Sequence, residues 1–171
     1  SEAVIKSIPK GTLAMGDVMQ KHVKGIEDPI GVYHIQEFKS TDLHLELQSS
    51  LDYIMRDEAA FASAFYARLF DSAPEVRALF TSDIKMQGRL LTHMLIGIVY
   101  SLSRPEHLEM GLRTLGKSHE KYGVTAEHYP IVKTVMLDTM AAELGDVFTA
   151  RMAEAWDQAL DLITGAMKNW K

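Results

Sequence analysis

Apolar residues recur every three or four positions from Thr41 to the C-terminus, and this spacing predicts helices throughout that region. In the first helix the apolar positions are Leu43, Leu47 and Leu51. Asp83 precedes the longest apolar stripe and is suited to cap its helix. We predict that the buried face of this long helix carries Met86, Leu90, Leu91, Met94, Leu95 and Ile98. The other helices are predicted over Phe61–Phe70, Glu106–His119, Ala126–Leu144 and Thr149–Asn169.

Residues 1–37 follow a different pattern, because proline and glycine divide them into short pieces. The dividing residues are Pro9, Gly11, Gly16, Gly25, Pro29 and Gly31. Two of the pieces, Val18–Val23 and Ile30–Ile35, are typical of strands, and the turn-rich link between them favours a hairpin. The sequence therefore predicts an all-α domain over residues 38–171, preceded by a short β-hairpin-like extension over residues 1–37.

Composition narrows the class of protein. A chain of 171 residues suits one domain with an appendage, and no stretch is apolar enough over about 18 residues to span a membrane. The net charge is −5 with acids and bases mixed, so we expect neither a nucleic-acid nor a membrane partner. No cysteine is present, which excludes disulfides, thiol nucleophiles and zinc–thiolate sites. These features fit a cytoplasmic protein.

His119 closes an apolar stripe formed with Leu108, Leu112 and Leu115. A histidine in this position is either a hydrogen-bonded core residue or a metal ligand, and the stripe alone leaves both open. Gln87, on the long helix, adds a second polar side chain on an otherwise apolar face. Burying such groups without partners is costly. A haem pocket would give them partners.

Several segments with their spacing resemble bacterial globins of the single-domain and flavohaemoglobin type. The resemblance covers residues 38–171 and depends on Phe65-Tyr66, Leu69-Phe70, the run Ala-Pro-Glu-Val-Arg-Ala-Leu-Phe at 73–80, Leu115–His119, Tyr122–Val124, the run at 128–132 and Ala155-Trp156. It implies the globin fold, with helices packed around haem b and its iron. A diatomic gas (oxygen, nitric oxide or carbon monoxide) is then the expected ligand.

The resemblance also implies a role for each matching residue. His119 resembles the proximal iron ligand, with Leu115 below the ring and Phe80 packed flat against it. Tyr66 and Gln87 resemble a distal pair of hydrogen-bond donors, and Leu91 the apolar residue beside the gas. Ordinary helix packing with polar tips at the surface remains an alternative for Tyr66 and Gln87. The other histidines, His93 among them, are expected at the surface.

One position departs from the oxygen-reactive members of the family. In those globins a tyrosine and a glutamate near the C-terminus form a hydrogen-bonded pair. The pair makes the proximal histidine more electron-rich. Tyr129 stands where the tyrosine is expected, but Lys171 occupies the place of the glutamate. This departure weakens an interpretation based on oxygen chemistry.

The extension is similar to the end of a class III nucleotide cyclase domain, whose last two strands carry a related pattern. The similar residues are Gly16–Val18, Lys24–Ile26, Pro29 and Val32-Tyr33. A plain hairpin with a Gly/Pro turn is the alternative. Neither the metal-binding aspartates nor the purine-reading residues of cyclases occur here, so we expect a cyclase domain in cis upstream rather than a cyclase in this chain.

Two functions therefore stay open. In the first, the globin is a gas sensor that regulates the attached cyclase and is not itself catalytic. In the second, it is a stand-alone globin that binds oxygen or detoxifies nitric oxide. The oligomeric state is open too, with a homodimer among the alternatives.

Overall fold

Six α-helices make up most of the part of the chain that the structure describes. The computed structural model describes residues 19–21, 30–32, 41–102 and 105–169. The helices are α1 Thr41–Ile54, α2 Glu58–Ser72, α3 Ile84–Ser101, α4 Pro105–Lys121, α5 His128–Leu144 and α6 Ala150–Lys168. Short 3₁₀ turns cover Met55–Asp57, Pro74–Leu79 and Gly145–Val147. The predicted helical region is confirmed, with each helix within a few residues of its expected bounds.

Side-chain caps fix where several helices begin. The Asp83 carboxylate accepts a hydrogen bond from the Lys85 backbone N–H at 2.8 Å, as the sequence predicted. Thr149 caps α6 in the same way through the Met152 N–H at 3.1 Å. At the end of α4, Gly123 takes a φ of +89°, a conformation that glycine adopts without strain. These local signals define the helix ends and thereby the direction of each helix.

The core lies where α2 crosses α3 and α5, and where α6 packs on α1 and α4. Trp156 is its largest fully buried side chain. The indole N–H of Trp156 donates to the Ser50 hydroxyl at 2.7 Å, and that hydroxyl donates to the Leu47 carbonyl at 2.8 Å. This chain of hydrogen bonds connects α6 to α1 through the core. No helix in the described part of the chain is long and apolar enough to cross a membrane.

The prediction of a buried Met86 and Leu90 was wrong. Their side chains are 47% and 56% exposed. The buried face of α3 instead runs through Gly88, Thr92 and Leu95, because α3 crosses α2 closely at Gly88. A Cβ at that glycine would lie 2.7 Å from the Ala62 Cβ. The crossing point turns Met86 and Leu90 towards solvent.

Two three-residue strands, β1 Met19–Lys21 and β2 Ile30–Val32, pair antiparallel with Gln20 opposite Gly31. The predicted strands, Val18–Val23 and Ile30–Ile35, extend beyond the described residues. So short a ladder does not test whether residues 1–37 are the end of a cyclase domain, and that interpretation stays a prediction.

Candidate functional site

His119 lies near the end of α4, half-buried, with its ring held by its own helix. The imidazole Nδ1 is 2.9 Å from the Leu115 carbonyl oxygen. Because a carbonyl only accepts hydrogen bonds, Nδ1 carries the proton and donates it. The other nitrogen, Nε2, then keeps a free lone pair, which is the arrangement of a histidine that ligates a metal.

The charge state of His119 fits the same role. Burial lowers the pKa of this imidazole, and the hydrogen bond to Leu115 offsets part of that effect. Histidine binds metals in its neutral form. The setting therefore favours the form that can act as a ligand.

Tyr66 lies on α2 with its side chain buried. Its hydroxyl donates to the Gln87 backbone carbonyl at 3.4 Å, which connects α2 to the first turns of α3. Burial raises the pKa of the Tyr66 phenol to about 12, so this side chain stays a hydrogen-bond donor at neutral pH. The structure thus brings the Tyr66 hydroxyl next to the backbone of Gln87, and the role of the two residues as a distal pair stays a prediction.

An aromatic cluster surrounds the Tyr66 ring. Its centroid is 5.1 Å from that of Phe65 and 5.3 Å from that of Phe80, both edge-to-face. Phe70 and Phe80 also meet edge-to-face at 5.4 Å. Such pairs stabilise each other beyond their simple burial. They fix Phe80, which lies on the stretch between α2 and α3, beside the tyrosine.

Gln87 and Leu91 lie four residues apart on α3 and are both half-buried. Within the described part of the chain, the Gln87 side-chain amide has no hydrogen-bond partner. The amide is therefore able to donate to a ligand. Tyr66 is buried rather than at the surface, whereas the half-buried Gln87 leaves the alternative of ordinary helix packing open.

Helices α3 and α4 carry Gln87, Leu91, Leu115 and His119, four of the residues that the resemblance assigns to a haem pocket. Each helix packs extensively on others, α3 on α2 and α4 on α6, but the two touch each other sparingly. Several half-buried apolar side chains on these helices and next to them pack against the described core: Phe80, Leu91, Met94, Leu115 and Val124. Apolar walls with a few polar groups are typical of cofactor sites. Together with the free Nε2 of His119, these residues fit a haem.

Tyr129, on α5, is buried on the side of α4 that faces α6. Burial raises the pKa of its phenol, and the negative charge of Glu120 adds to the rise. The Lys168 ammonium lies 5.4 Å above the Tyr129 ring. These three residues border an open cavity of about 360 Å³, which also reaches Gly116. Lys171, the predicted departure from the family, lies outside the described residues.

Sequence analysis missed the two glycines beside the predicted site. Gly88 follows Gln87, and Gly116 follows Leu115; each lies where its helix approaches another too closely for a Cβ. A glycine inside a helical pattern is the signal that could have found them, because it costs about 1 kcal/mol relative to alanine unless packing requires it. His93, by contrast, is at the surface as expected, 3.9 Å from the Glu58 carboxylate.

A helical fold with a half-buried histidine near the end of one helix, and with a tyrosine beside a glutamine on two other helices, is compatible with a haem-binding all-α protein. The globin family model matches residues 63–167, more than half of the chain. The chain belongs to the globin family.

Relatives with assigned activities match over most of this chain. A flavohemoprotein of Xylella fastidiosa is 29% identical over 127 residues, which are 72% of this chain and 32% of the relative. An anaerobic nitrite reductase of Oryza sativa subsp. indica is 27% identical over 137 residues, 77% of this chain and 94% of the relative. Among solved structures, a Rhodothermus marinus protein assigned as a nitric oxide dioxygenase and engineered as a carbene transferase superposes with a TM-score of 0.65 at 27% identity. The superposition covers 73% of this chain and 87% of the Rhodothermus marinus chain.

The matched region spans about a third of the Xylella fastidiosa flavohemoprotein but nearly the whole of the rice protein. Haem is the cofactor of this family, so the haem prediction is confirmed, as is the prediction of a bacterial, flavohaemoglobin-type globin domain.

Proposed function

We propose that this globin domain binds a diatomic gas reversibly at a haem held by His119. The observation that carries the proposal is the tautomer of His119, whose Nδ1–H is donated to the Leu115 carbonyl at 2.9 Å and whose Nε2 stays free. This hydrogen bond favours the neutral tautomer whose Nε2 lone pair can bind a metal ion.

When bound, haem supplies an iron with one open coordination position for the gas. The Nε2 atom of His119 would hold the iron from the α4 side. Phe80, fixed by Tyr66 and Phe70, would pack against the macrocycle. Tyr66 and Gln87 would donate hydrogen bonds to the gas, while Leu91 and Leu115 would exclude water.

Replacing His119 by alanine tests this proposal. The variant should lose stoichiometric haem binding, or need added imidazole to regain it, because it lacks the imidazole that we propose as the iron ligand. The absorption spectrum of the purified protein measures this. His93→Ala, which removes an exposed histidine, is the control and should keep the parent spectrum. Unchanged haem spectra in His119→Ala would refute the ligand assignment.

For the purpose of gas binding, we favour regulation of a nucleotide cyclase in cis. Support comes from the cyclase-like pattern in residues 1–37 and from Lys171, which stands where oxygen-reactive relatives have a glutamate. The first globin helix, α1, follows the extension after the short link 36–40. We therefore expect α1 to transmit the change on gas binding to the cyclase. A cytoplasmic location and a homodimer stay predictions.

A gas can change cyclase output only through a difference in its affinity for two states of the protein. Such coupling is typically about 1–3 kcal/mol, so cyclase activity should change by about 5- to 150-fold. The test assays the full-length parent for cyclic nucleotide production with deoxy, oxygen-treated and nitric-oxide-treated haem. Equal activity in all three states would contradict the regulatory role.

Turnover of nitric oxide or nitrite is the second candidate. It is favoured by the similarity to a flavohemoprotein and to an anaerobic nitrite reductase. Consumption of nitric oxide in the presence of oxygen and a reductant, followed with an electrode, tests it. Catalytic consumption by the parent but not by His119→Ala would favour this candidate over the sensor.

A further inference from the structure

Helix α4 approaches helix α6 more closely at Gly116 than any side chain would allow. A Cβ at Gly116 would lie 2.9 Å from the Met167 Cα and carbonyl carbon, and nearer still to the carbonyl oxygen. Real Cβ atoms essentially never come within 3.0 Å of such atoms. The obstacle is backbone, so it cannot swing aside as the end of a side chain could.

The partner carbonyl belongs to the last turn of α6. The last carbonyls of a helix have no partner within that helix. In place of a Cβ, Gly116 presents a hydrogen in the direction of the Met167 oxygen, and a Cα–H group is a weak donor to a carbonyl. Close approach at this point therefore brings α4 onto one of the last carbonyls of α6.

The contact lies in the helical turn that holds the proximal histidine. Gly116 follows Leu115, whose carbonyl accepts the His119 Nδ1–H, and precedes His119 by three residues. Residues three apart are neighbours on a helix surface. Any displacement of Gly116 from α6 therefore moves the turn that carries His119.

Other helical glycines nearby face no such obstacle. A Cβ at Gly111, on the same helix, or at Gly165, on α6, would meet nothing within 4 Å. Glycine costs about 1 kcal/mol relative to alanine inside a helix, so its presence at 116 needs a reason. At Gly116 the reason is the Met167 backbone.

We propose that Gly116 is a positioning residue for His119: by seating α4 on the Met167 carbonyl, it sets how far the imidazole reaches towards the haem. This inference rests on the proposed function, in that His119 is the iron ligand. Packed interiors transmit small displacements because they contain few voids. A shift of α4 by several tenths of an ångström thus changes the strain on the bond between His119 and the iron.

Gly116→Ala tests the proposal on the haem-loaded protein. The added Cβ should push α4 away from α6, shift the iron–histidine stretching band in the resonance Raman spectrum of the deoxy protein, and speed haem loss roughly tenfold, because an extra methyl group forced into a packed contact displaces the backbone. Gly111→Ala, the matched control on the same helix, should leave both measurements as in the parent. Far-UV circular dichroism checks that both variants are folded.

A second variant moves the Met167 carbonyl instead of adding an atom at Gly116. It tests the same proposal if Gly116→Ala fails to fold. The residue before a proline is disfavoured in the helical conformation. Lys168→Pro should therefore turn the Met167 carbonyl away at the very end of α6 and shift the same band. Lys168→Ala is its control, because it removes the side chain but keeps the helix.

A third measurement separates this inference from the ligand assignment. In a His119→Gly background with imidazole supplied in solution, the ligand is no longer attached to α4, so Gly116→Ala should leave the iron–imidazole band in place. An unshifted iron–histidine band in both Gly116→Ala and Lys168→Pro would overturn the positioning role. Unchanged haem spectra in His119→Ala would instead refute the proposed function.

Discussion

At the scale of single residues, Tyr66 combines an apolar setting with one polar contact. Its ring lies among phenylalanines, and its hydroxyl donates to the Gln87 carbonyl at 3.4 Å. A hydrogen bond of this length is weak. The hydroxyl can therefore turn to another acceptor at little cost, as a distal donor must when a gas enters.

Removing either distal donor should speed oxygen release. Each lost hydrogen bond should cost about 0.5–1.5 kcal/mol, which is roughly a two- to tenfold faster dissociation. Affinity differences among related complexes arise mostly in the off-rate. Stopped-flow measurement on Tyr66→Phe and Gln87→Leu tests this, with Tyr122→Phe, an exposed tyrosine, as the control. If both variants release oxygen at the parent rate, Tyr66 and Gln87 do not contact the gas.

The Tyr66 phenol should also affect stability in alkali. The unfolded chain releases this proton near pH 10, whereas the folded chain holds it to about pH 12. Unfolding therefore releases a proton between these values, and stability falls as pH rises through that window. A difference of about two pKa units corresponds to roughly 2–3 kcal/mol.

Tyr66→Phe should accordingly flatten the loss of stability between pH 10 and 12. Urea unfolding of the haem-free protein at several pH values measures it, again beside Tyr122→Phe. A slope equal to that of the parent would mean that the folded state does not hold the Tyr66 proton.

At the scale of elements, periodicity predicted the helices well because each has a continuous apolar stripe and recognisable ends, as Asp83 and Gly123 show. It failed on the direction of the α3 face. Met86 and Leu90 are apolar, but the crossing at Gly88 decides which side of α3 meets α2. A close backbone approach depends on the partner helix, which lies far away in sequence. Pattern alone therefore could not give it.

The hydrogen bonds between α6 and α1 offer a test of how these elements are held. Ser50→Ala removes the acceptor of the buried Trp156 N–H. An unsatisfied buried donor costs about 1–3 kcal/mol, so the free energy of unfolding should fall by that amount. Ser49→Ala, the exposed neighbour, is the matched control and should have little effect. Equal stability of the two variants would show that Trp156 finds another acceptor.

At the scale of the whole molecule, the family pattern predicted the site residues and the structure supplied their surroundings. The pattern pointed to His119, Tyr66 and Gln87. It could not give the Leu115 carbonyl that fixes the histidine tautomer or the Met167 carbonyl that contacts α4. Every residue has the same backbone atoms, so the sequence does not show which of them make a contact. Packing runs without a break from α4 to α6 and from α6 to α1. That path leads from His119 to α1, the helix that follows the extension in the sequence.

The burial of Trp156 has an optical consequence. An indole shielded from water emits at shorter wavelengths than an exposed one, and haem absorbs in the range of that emission. The fluorescence of Trp156 should therefore be quenched while haem is in place and should brighten as haem leaves. The chain has one other tryptophan, Trp170, and its replacement by phenylalanine would leave a single emitter. The protein would then report its own cofactor occupancy, without a label, in a plain fluorimeter.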